Sequence, residues 1–210
     1  MNHIPDPPAR RAARGAPTTP GAAEDVLRYW FGSDDAVRTE WFTRSAAFDA
    51  ETDLRFGAEV EAALQGRLDL WRRTRDGSLA LVILLDQCTR NLYRGTPRAF
   101  AGDPQALTMA RELIAQGQHA TLPPLRRWFL FMPLEHAEDR ALQDQSVSLF
   151  TALAADAGPH AAALANALDY AERHRAVIAR FGRFPHRNEV LGRESTAQEL
   201  AFLKEPGSRF

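Results

Sequence analysis

Apolar residues recur at helical spacing along nearly the whole chain from residue 22 onward. Two early amphipathic stripes run from Ala22 to Trp30 and from Phe48 to Leu64, and Gly32 and Gly66 follow them. Alternating apolar and polar runs, which are typical of strands, are absent from the sequence. The pattern therefore predicts an all-α protein.

The segment from Leu79 to Leu85 is apolar almost all round, which predicts a central helix covered on most sides. Asp103 and Pro104 are expected to be the N-cap and first residue of a later helix, and Pro133 is expected to start, kink or break one. The longest helix is predicted over 160–181. Ser195 and Gln198 are expected to form a capping box.

Seven or eight antiparallel helices with short connections predict a helical bundle or a superhelical array. Residues 1–20 carry five prolines and few bulky apolar side chains, so they are expected to form a disordered leader. Residues 21–210 are expected to form a single helical domain.

Composition narrows the classes of partner. The chain has 26 basic and 27 acidic residues, a formal net charge of −1, and one cysteine, Cys88. Nucleic acid and anionic membranes are therefore disfavoured as partners, because both attract basic surfaces. The sequence has no transmembrane or signal segment, no second cysteine for an intramolecular disulfide, and no standard nucleotide-binding or serine-hydrolase motif. A cytoplasmic protein is expected, with its cofactor, if any, unknown.

Three segments together resemble the bacterial domain-of-unknown-function family 924. They are LLDQCTRNLYRGTPRAFAGD at 84–103, FMPLEHAED at 131–139 and HRAVIARFGRFPHRNEVLGR at 174–193. The resemblance covers essentially the whole chain after the leader and implies a tetratricopeptide-like helical array, with no established activity. This chain has Cys88-Thr89 where members usually have Phe-Pro, and Ala137 where they have Ser. These departures argue against a catalytic thiol at 88 and a hydroxyl role at 137.

The first segment places several hydrogen-bonding side chains on one helix face, just where the apolar run ends. Asp86, Arg90 and Arg94 recur every four residues, with Gln87 and Asn91 beside them. The arginines repel each other unless an acceptor lies between or opposite them. That acceptor is either a carboxylate of the protein, in an ion-pair network between helices, or a ligand.

The second segment offers Glu135, His136, Glu138 and Asp139 directly after Pro133. Carboxylates beside a histidine can bind a metal or serve as acid and base. The sequence has neither HExxH nor the paired ExxH motifs of di-iron bundles, so no metal ligands are assigned. The alternative is a solvated or salt-bridged start of a helix.

The third segment combines an inward histidine with a turn rich in donors. His174 shares a stripe with Ala171 and Ile178, and a lone inward histidine is more often structural than catalytic. Further donors follow around Gly182 and Pro185, and they are Arg180, Arg183, His186, Arg187 and Asn188. The interleaved Phe181 and Phe184 permit stacking on single-stranded nucleic acid, which is disfavoured because the rest of the chain is not basic.

The leading hypothesis is a pocket where the three segments converge on a small anionic metabolite. The ligand-binding candidates are Asp86, Gln87, Arg90, Asn91, Arg94, Glu135, His136, Arg180, Arg183, Arg187 and Asn188. His174 and His186 are the candidate catalytic residues, as carriers of a proton. The rival hypothesis is a tetratricopeptide-like module that holds a peptide or protein on a concave face, with the polar segments as structural glue.

Overall fold

The computed structural model describes residues 22–34 and 36–208, so the expected leader at 1–20 lies outside the described residues. Within this part the protein is an antiparallel array of helices without strands, as the sequence predicted. The helices are α1 (Ala22–Phe31), α2 (Ala46–Leu64), α3 (Arg75–Val82), α4 (Thr89–Leu92), α5 (Asp103–Ala115), α6 (Pro124–Glu135), α7 (Arg140–Ala155), α8 (Ala161–Phe181) and α9 (Ala197–Phe202).

A π-helical segment, Ile83–Cys88, joins α3 and α4 into one continuous central helix. Counted as one, these segments bring the described part of the chain to eight helices. Leu79–Leu85 is fully buried, which agrees with its apolar character on all sides. Helices α1, α2, α5 and α6 all contact this central helix, so it forms the middle of the core.

The C-terminal half stacks α6, α7 and α8 in succession, with α7 packed against both of its neighbours. Because each of the outer two is antiparallel to α7, α6 and α8 run in the same direction and also contact each other. Among the described residues, no helix has the length and apolar character needed to cross a bilayer.

Several helix boundaries agree with the sequence. Helix α8 covers Ala161–Phe181 and ends at Gly182, whose φ of 70° is the left-handed conformation that glycine adopts at little cost. Gly66, which follows α2, also has a φ of 70°. The glycines therefore end these helices as expected.

Two expectations about helix ends were wrong, and the alternatives for Pro133 are narrowed. The carboxylate of Asp103 binds Arg90, so Asp103 is the first residue of α5, which Gly102 precedes. The capping box is one residue further along than expected, at Thr196 and Glu199. Pro133 lies inside α6, which continues to Glu135.

The start of α5 lies directly against the π-helical segment. A Cβ built on Gly102 would lie far inside contact distance of the Leu85 carbonyl oxygen. Position 102 therefore accepts glycine alone, and this close approach brings Asp103 beside the polar face of the central helix.

Candidate functional site

The π-helical segment carries the first polar residues of the central helix. The Thr89 amide donates to the Leu84 carbonyl five residues earlier, where an α-helix would use a residue four back. This wider turn includes Asp86 and Gln87, both buried. Local π-helical turns are frequent at functional sites, and here one marks the change from an apolar core to polar chemistry.

Asp86 and His136 form a buried acid–imidazole pair. His136 Nδ1 lies 2.7 Å from Asp86 Oδ1, and Gln87 Nε2 donates to Asp86 Oδ2 at 2.6 Å. Arg90 NH1 lies 3.2 Å from Asp86 Oδ1 and also donates to the main-chain carbonyl of Asp86. The carboxylate thus has polar partners on both oxygens.

The charge states of this pair follow from its surroundings. Burial by itself would raise the pKa of Asp86, but Arg90 and His136 hold that pKa well below its usual range. Burial, followed by the charge of Arg90, lowers the pKa of His136 although Asp86 opposes the change. At neutral pH an ionised Asp86 therefore accepts the Nδ1 hydrogen of a neutral His136. His136 Nε2 then carries a lone pair available to a ligand.

Arg90 is held by a second carboxylate. Its NH1 and NH2 groups donate to Asp103 Oδ1 and Oδ2 at 2.9 and 3.0 Å, a bidentate pair. The Arg90 charge is therefore shared between Asp86 and Asp103. This supports the ion-pair interpretation of the first segment as far as Arg90 is concerned.

Arg187 is buried but less completely paired. Its NH1 donates to the His136 carbonyl at 3.1 Å and lies 3.7 Å from Asp103 Oδ2, while its Nε has no hydrogen-bond partner in the described structure. Its guanidinium carbon lies 4.9 Å and 4.4 Å from the ring centres of Phe100 and Phe184. Burial, followed by the charge of Arg90, lowers the pKa of Arg187 to about 10, so it remains a cation at neutral pH.

A cavity of about 650 Å³ opens beside these groups. We call it the central cavity, and its lining draws on all three sequence segments. The predicted site residues on its wall are Gln87, Arg90, Asn91, Arg94, Glu135, His136, His174, His186 and Arg187. Asp86 lies behind this wall, hydrogen-bonded to His136 and Gln87.

The parallel helices α6 and α8 each contribute a stripe to the wall. Residues at four-residue spacing form each stripe. The first stripe has Trp128 and Met132 on α6 and His136 directly after it, and the second has Asn166, Tyr170 and His174 on α8. Residues four apart on a helix share a face. The stripes meet at one end, where the His136 and His174 ring centres are 6.2 Å apart.

The two candidate proton carriers lie at this same end. His174 Nδ1 lies 2.8 Å from the Tyr170 carbonyl oxygen and 3.0 Å from Glu135 Oε1. Burial, followed by the charge of Arg187, lowers the pKa of His186 to about 3. We call His136, His174, His186 and Arg187 the polar end of the cavity.

Besides Asp86, three of the predicted ligand-binding residues lie outside the cavity wall. Arg183 binds Glu199 through two hydrogen bonds of 2.7 and 2.8 Å, and the exposed Arg180 stacks on Phe181 and Phe202. Asn188 is buried and hydrogen-bonded to Ser195 and Arg193. Their side chains are engaged with the C-terminal residues, so we leave them out of the candidate site.

These residues belong to a separate polar network, which we call the turn cluster. Its members are Glu138, Arg183, Asn188, Arg193 and Glu199. Glu138 accepts hydrogen bonds from the Phe184 amide and from Arg193, and Arg193 also donates to the Phe184 carbonyl. The network joins the turn after α8 to the α6–α7 loop and to α9.

The chain matches, over residues 26–207, the model of a family described as bacterial protein of unknown function, DUF924. The chain belongs to this family. A solved structure, that of the protein of unknown function ATU0120 from Agrobacterium tumefaciens, is 37% identical with a TM-score of 0.77. The match covers 87% of this chain and 96% of that chain. No curated protein matches the chain.

The resemblance to this family, which the sequence indicated, is thus confirmed. Both the family and the solved structure are described as being of unknown function. Cys88, where the chain departs from the usual family pattern, is buried, and burial raises the pKa of its thiol. Within the described ranges, no group of three or more His, Cys, Asp or Glu side chains is arranged to hold a metal ion.

Sequence reasoning missed the aromatic part of the cavity wall in this DUF924 protein. Trp41, Phe42 and Trp128 line the cavity, and Phe42 stacks on Trp128 with ring centres 4.9 Å apart. Trp128 and His136 are eight residues apart on one helix face, which is a detectable signal. Trp41 and Phe42 reach the cavity from the connection between α1 and α2, where the sequence has no helical period that could indicate their position.

Proposed function

We propose that this DUF924 protein binds a small anionic metabolite at the polar end of the central cavity. The volume of about 650 Å³ falls within the range of about 300–1,000 Å³ common for small-molecule sites. Apolar and aromatic walls with a few converging polar groups are also typical of such sites. These features favour a small molecule over an extended peptide.

Arg187 carries the proposal. Of the other cations on the wall, Arg90 is compensated by Asp86 and Asp103 and Arg94 by Asp49 at 3.0 Å, while Arg44 is exposed to solvent on the loop beside Phe42. Arg187 is buried with an unpartnered Nε, and its pKa is lowered by burial and by the nearby Arg90. A bound anion would offset both effects, because it supplies the opposite charge that the buried guanidinium lacks.

If the metabolite reacts, we assign proton transfer to His136 rather than to His174 or His186. An ionised carboxylate that fixes the Nδ1 hydrogen leaves Nε2 as the basic atom, the arrangement by which a carboxylate orients a catalytic imidazole. The His136 side chain is 11% exposed and lines the cavity. Asp86 would act as a positioning residue in this scheme.

Native mass spectrometry of the purified protein, followed by denaturation and identification of the released molecules, tests the proposal. We expect an anionic metabolite from the natural protein and from Arg180→Gln, and none from Arg187→Gln. Arg180 is the matched control because it is an exposed arginine outside the cavity wall. Circular dichroism should show equal helix content for the three proteins.

Two results would contradict the proposal. One is the release of a neutral or cationic molecule that Arg187→Gln retains. The other is a purified protein that releases no small molecule on denaturation and binds no anion from a metabolite library. If such a protein binds a peptide, the tetratricopeptide-like interaction module is favoured.

A further inference from the structure

We infer that the ligand of the central cavity is an elongated amphipathic anion, with its charged group at the polar end and an apolar body extending toward Phe42 and Trp128. This inference rests on the proposed function and specifies the class of ligand. It follows from how the lining residues are distributed along α6 and α8.

The residues that line the cavity change along the length of α6 and α8. The α6 stripe goes from Trp128 through Met132 to His136, and eight residues at 1.5 Å per residue span about 12 Å. The α8 stripe runs alongside it and ends at His174, next to His136. A ligand that touches both ends of the stripes is therefore long relative to a simple carboxylate or phosphate.

The two ends of the stripes differ in chemistry. The polar end has Arg187 and three imidazoles, and its carboxylate, Glu135, is paired with His174. At the other end, where the exposed Glu40 and Arg44 also line the cavity, Trp41, Phe42 and Trp128 form a contiguous aromatic group, with Trp41 and Trp128 ring centres 6.4 Å apart. We call this group the aromatic end.

The aromatic end includes an unusually exposed ring. Phe42 is 53% exposed, and Tyr170 on the α8 stripe is 40% exposed, whereas Trp41 and Trp128 are buried. Both exposed rings line the central cavity. An apolar ligand body packed on Phe42 would remove this surface from water, which is favourable at roughly 25 cal/mol per Å².

A series of alkyl carboxylates tests the inference by isothermal titration calorimetry. Butanoate, hexanoate, octanoate and decanoate keep the same charged group and lengthen the apolar body. We expect affinity to rise by up to about fourfold for each added methylene while the chain remains inside the cavity. Octanol, which has the body without the charge, should bind more weakly than octanoate.

Two variants test which end of the cavity binds the charged group and which binds the apolar body. Phe42→Ala should weaken decanoate about fivefold and leave butanoate nearly unchanged, because only the longer chain reaches the aromatic end. Arg187→Gln should weaken both acids by a similar factor. Leu54→Ala is the matched control for Phe42, since Leu54 is 83% exposed on α2 away from the cavity, and it should bind the series as the natural protein does.

The outcomes separate the inference from the proposed function. If butanoate and decanoate bind equally well, or Phe42→Ala changes neither, the elongated ligand is refuted while anion binding stands. If octanol binds as tightly as octanoate, or Arg187→Gln leaves the affinity for the acids unchanged, the charged group of the ligand does not bind at Arg187. If no acid of the series binds, the inference fails, and the mass spectrometry described above decides the proposed function independently.

Discussion

The protein has two clusters of arginines and carboxylates that look alike in sequence and differ in structure. The turn cluster is closed: Arg183, Arg193 and Asn188 bind partners within the protein. The cluster beside the central cavity, which we call the cavity cluster, contains Asp86, Arg90, Asp103, His136 and Arg187. It combines full pairing at Arg90 with incomplete pairing at Arg187 and with access to the cavity. Residue types in the sequence therefore indicate that a polar network exists. A binding site additionally needs access to a cavity and hydrogen-bonding atoms that have no partner within the described structure.

Removing Asp86 should give the largest effect. Asp86→Ala leaves the buried His136 without its carboxylate and Arg90 with Asp103 alone, so we expect a loss of about 3 kcal/mol in the free energy of unfolding, measured by urea denaturation. Asp49→Ala breaks the more exposed pair with Arg94 and should cost less than about 1 kcal/mol. Equal losses in the two variants would show that the cavity cluster has no special role in stability.

The pH dependence of stability should also reflect the cavity. Burial holds the pKa of His186 at about 3 and lowers that of His136, whereas a histidine in the unfolded chain titrates near about 6.5. Below about 6.5 the unfolded chain binds protons that the native protein does not, so stability falls as pH falls. From pH 7 to 5 we expect a loss of up to about 2 kcal/mol for His186 alone.

Urea denaturation at the two pH values measures this loss, and His186→Gln should reduce the difference. A natural protein that is as stable at the lower pH as at the higher one would contradict the neutral state that we assign to the buried imidazoles.

Anion binding should separate the two clusters. Arg187→Lys keeps the charge and loses the planar fork, so we expect octanoate affinity to fall about tenfold in calorimetry, as for a lost charge-assisted hydrogen bond. Arg193→Lys, in the turn cluster, should leave that affinity unchanged. If the two variants weaken binding equally, the distinction between the clusters fails.

The smallest effect concerns the cap of α9, where Thr196 bonds to Glu199 of the turn cluster. Thr196→Ala removes the cap of α9 and should cost about 1 kcal/mol of stability, measured by urea denaturation. Ligand affinity should not change, because Thr196 lies outside the cavity wall. A simultaneous loss of octanoate binding would mean that α9 supports the cavity after all.

The helices could be predicted from sequence because their stripes and terminating glycines are local. Leu79–Leu85 and the end of α8 at Gly182 are examples. The errors came where a distant partner competes with a local preference. Asp103 gives up the N-cap position since Arg90 binds both of its oxygens.

The candidate site was predictable in part. The three polar segments do reach one cavity, and His174, His186 and Arg187 are on its wall. The pairing of His136 with Asp86 depends on the π-helical turn, which has no sequence signature of the kind that proline or glycine provides. The sequence could not show that Arg180 and Arg183 lie outside the cavity wall, because spacing in a turn does not say which way each side chain points.

Gly102 has a practical consequence for anyone who mutates this protein. The main chain of α5 rests on the Leu85 carbonyl with room for a hydrogen atom and nothing larger. Even alanine there would have to push α5 away from the central helix, taking Asp103 with it. Randomised libraries aimed at the neighbouring positions should keep codon 102 fixed, or they will report spacing defects as losses of binding.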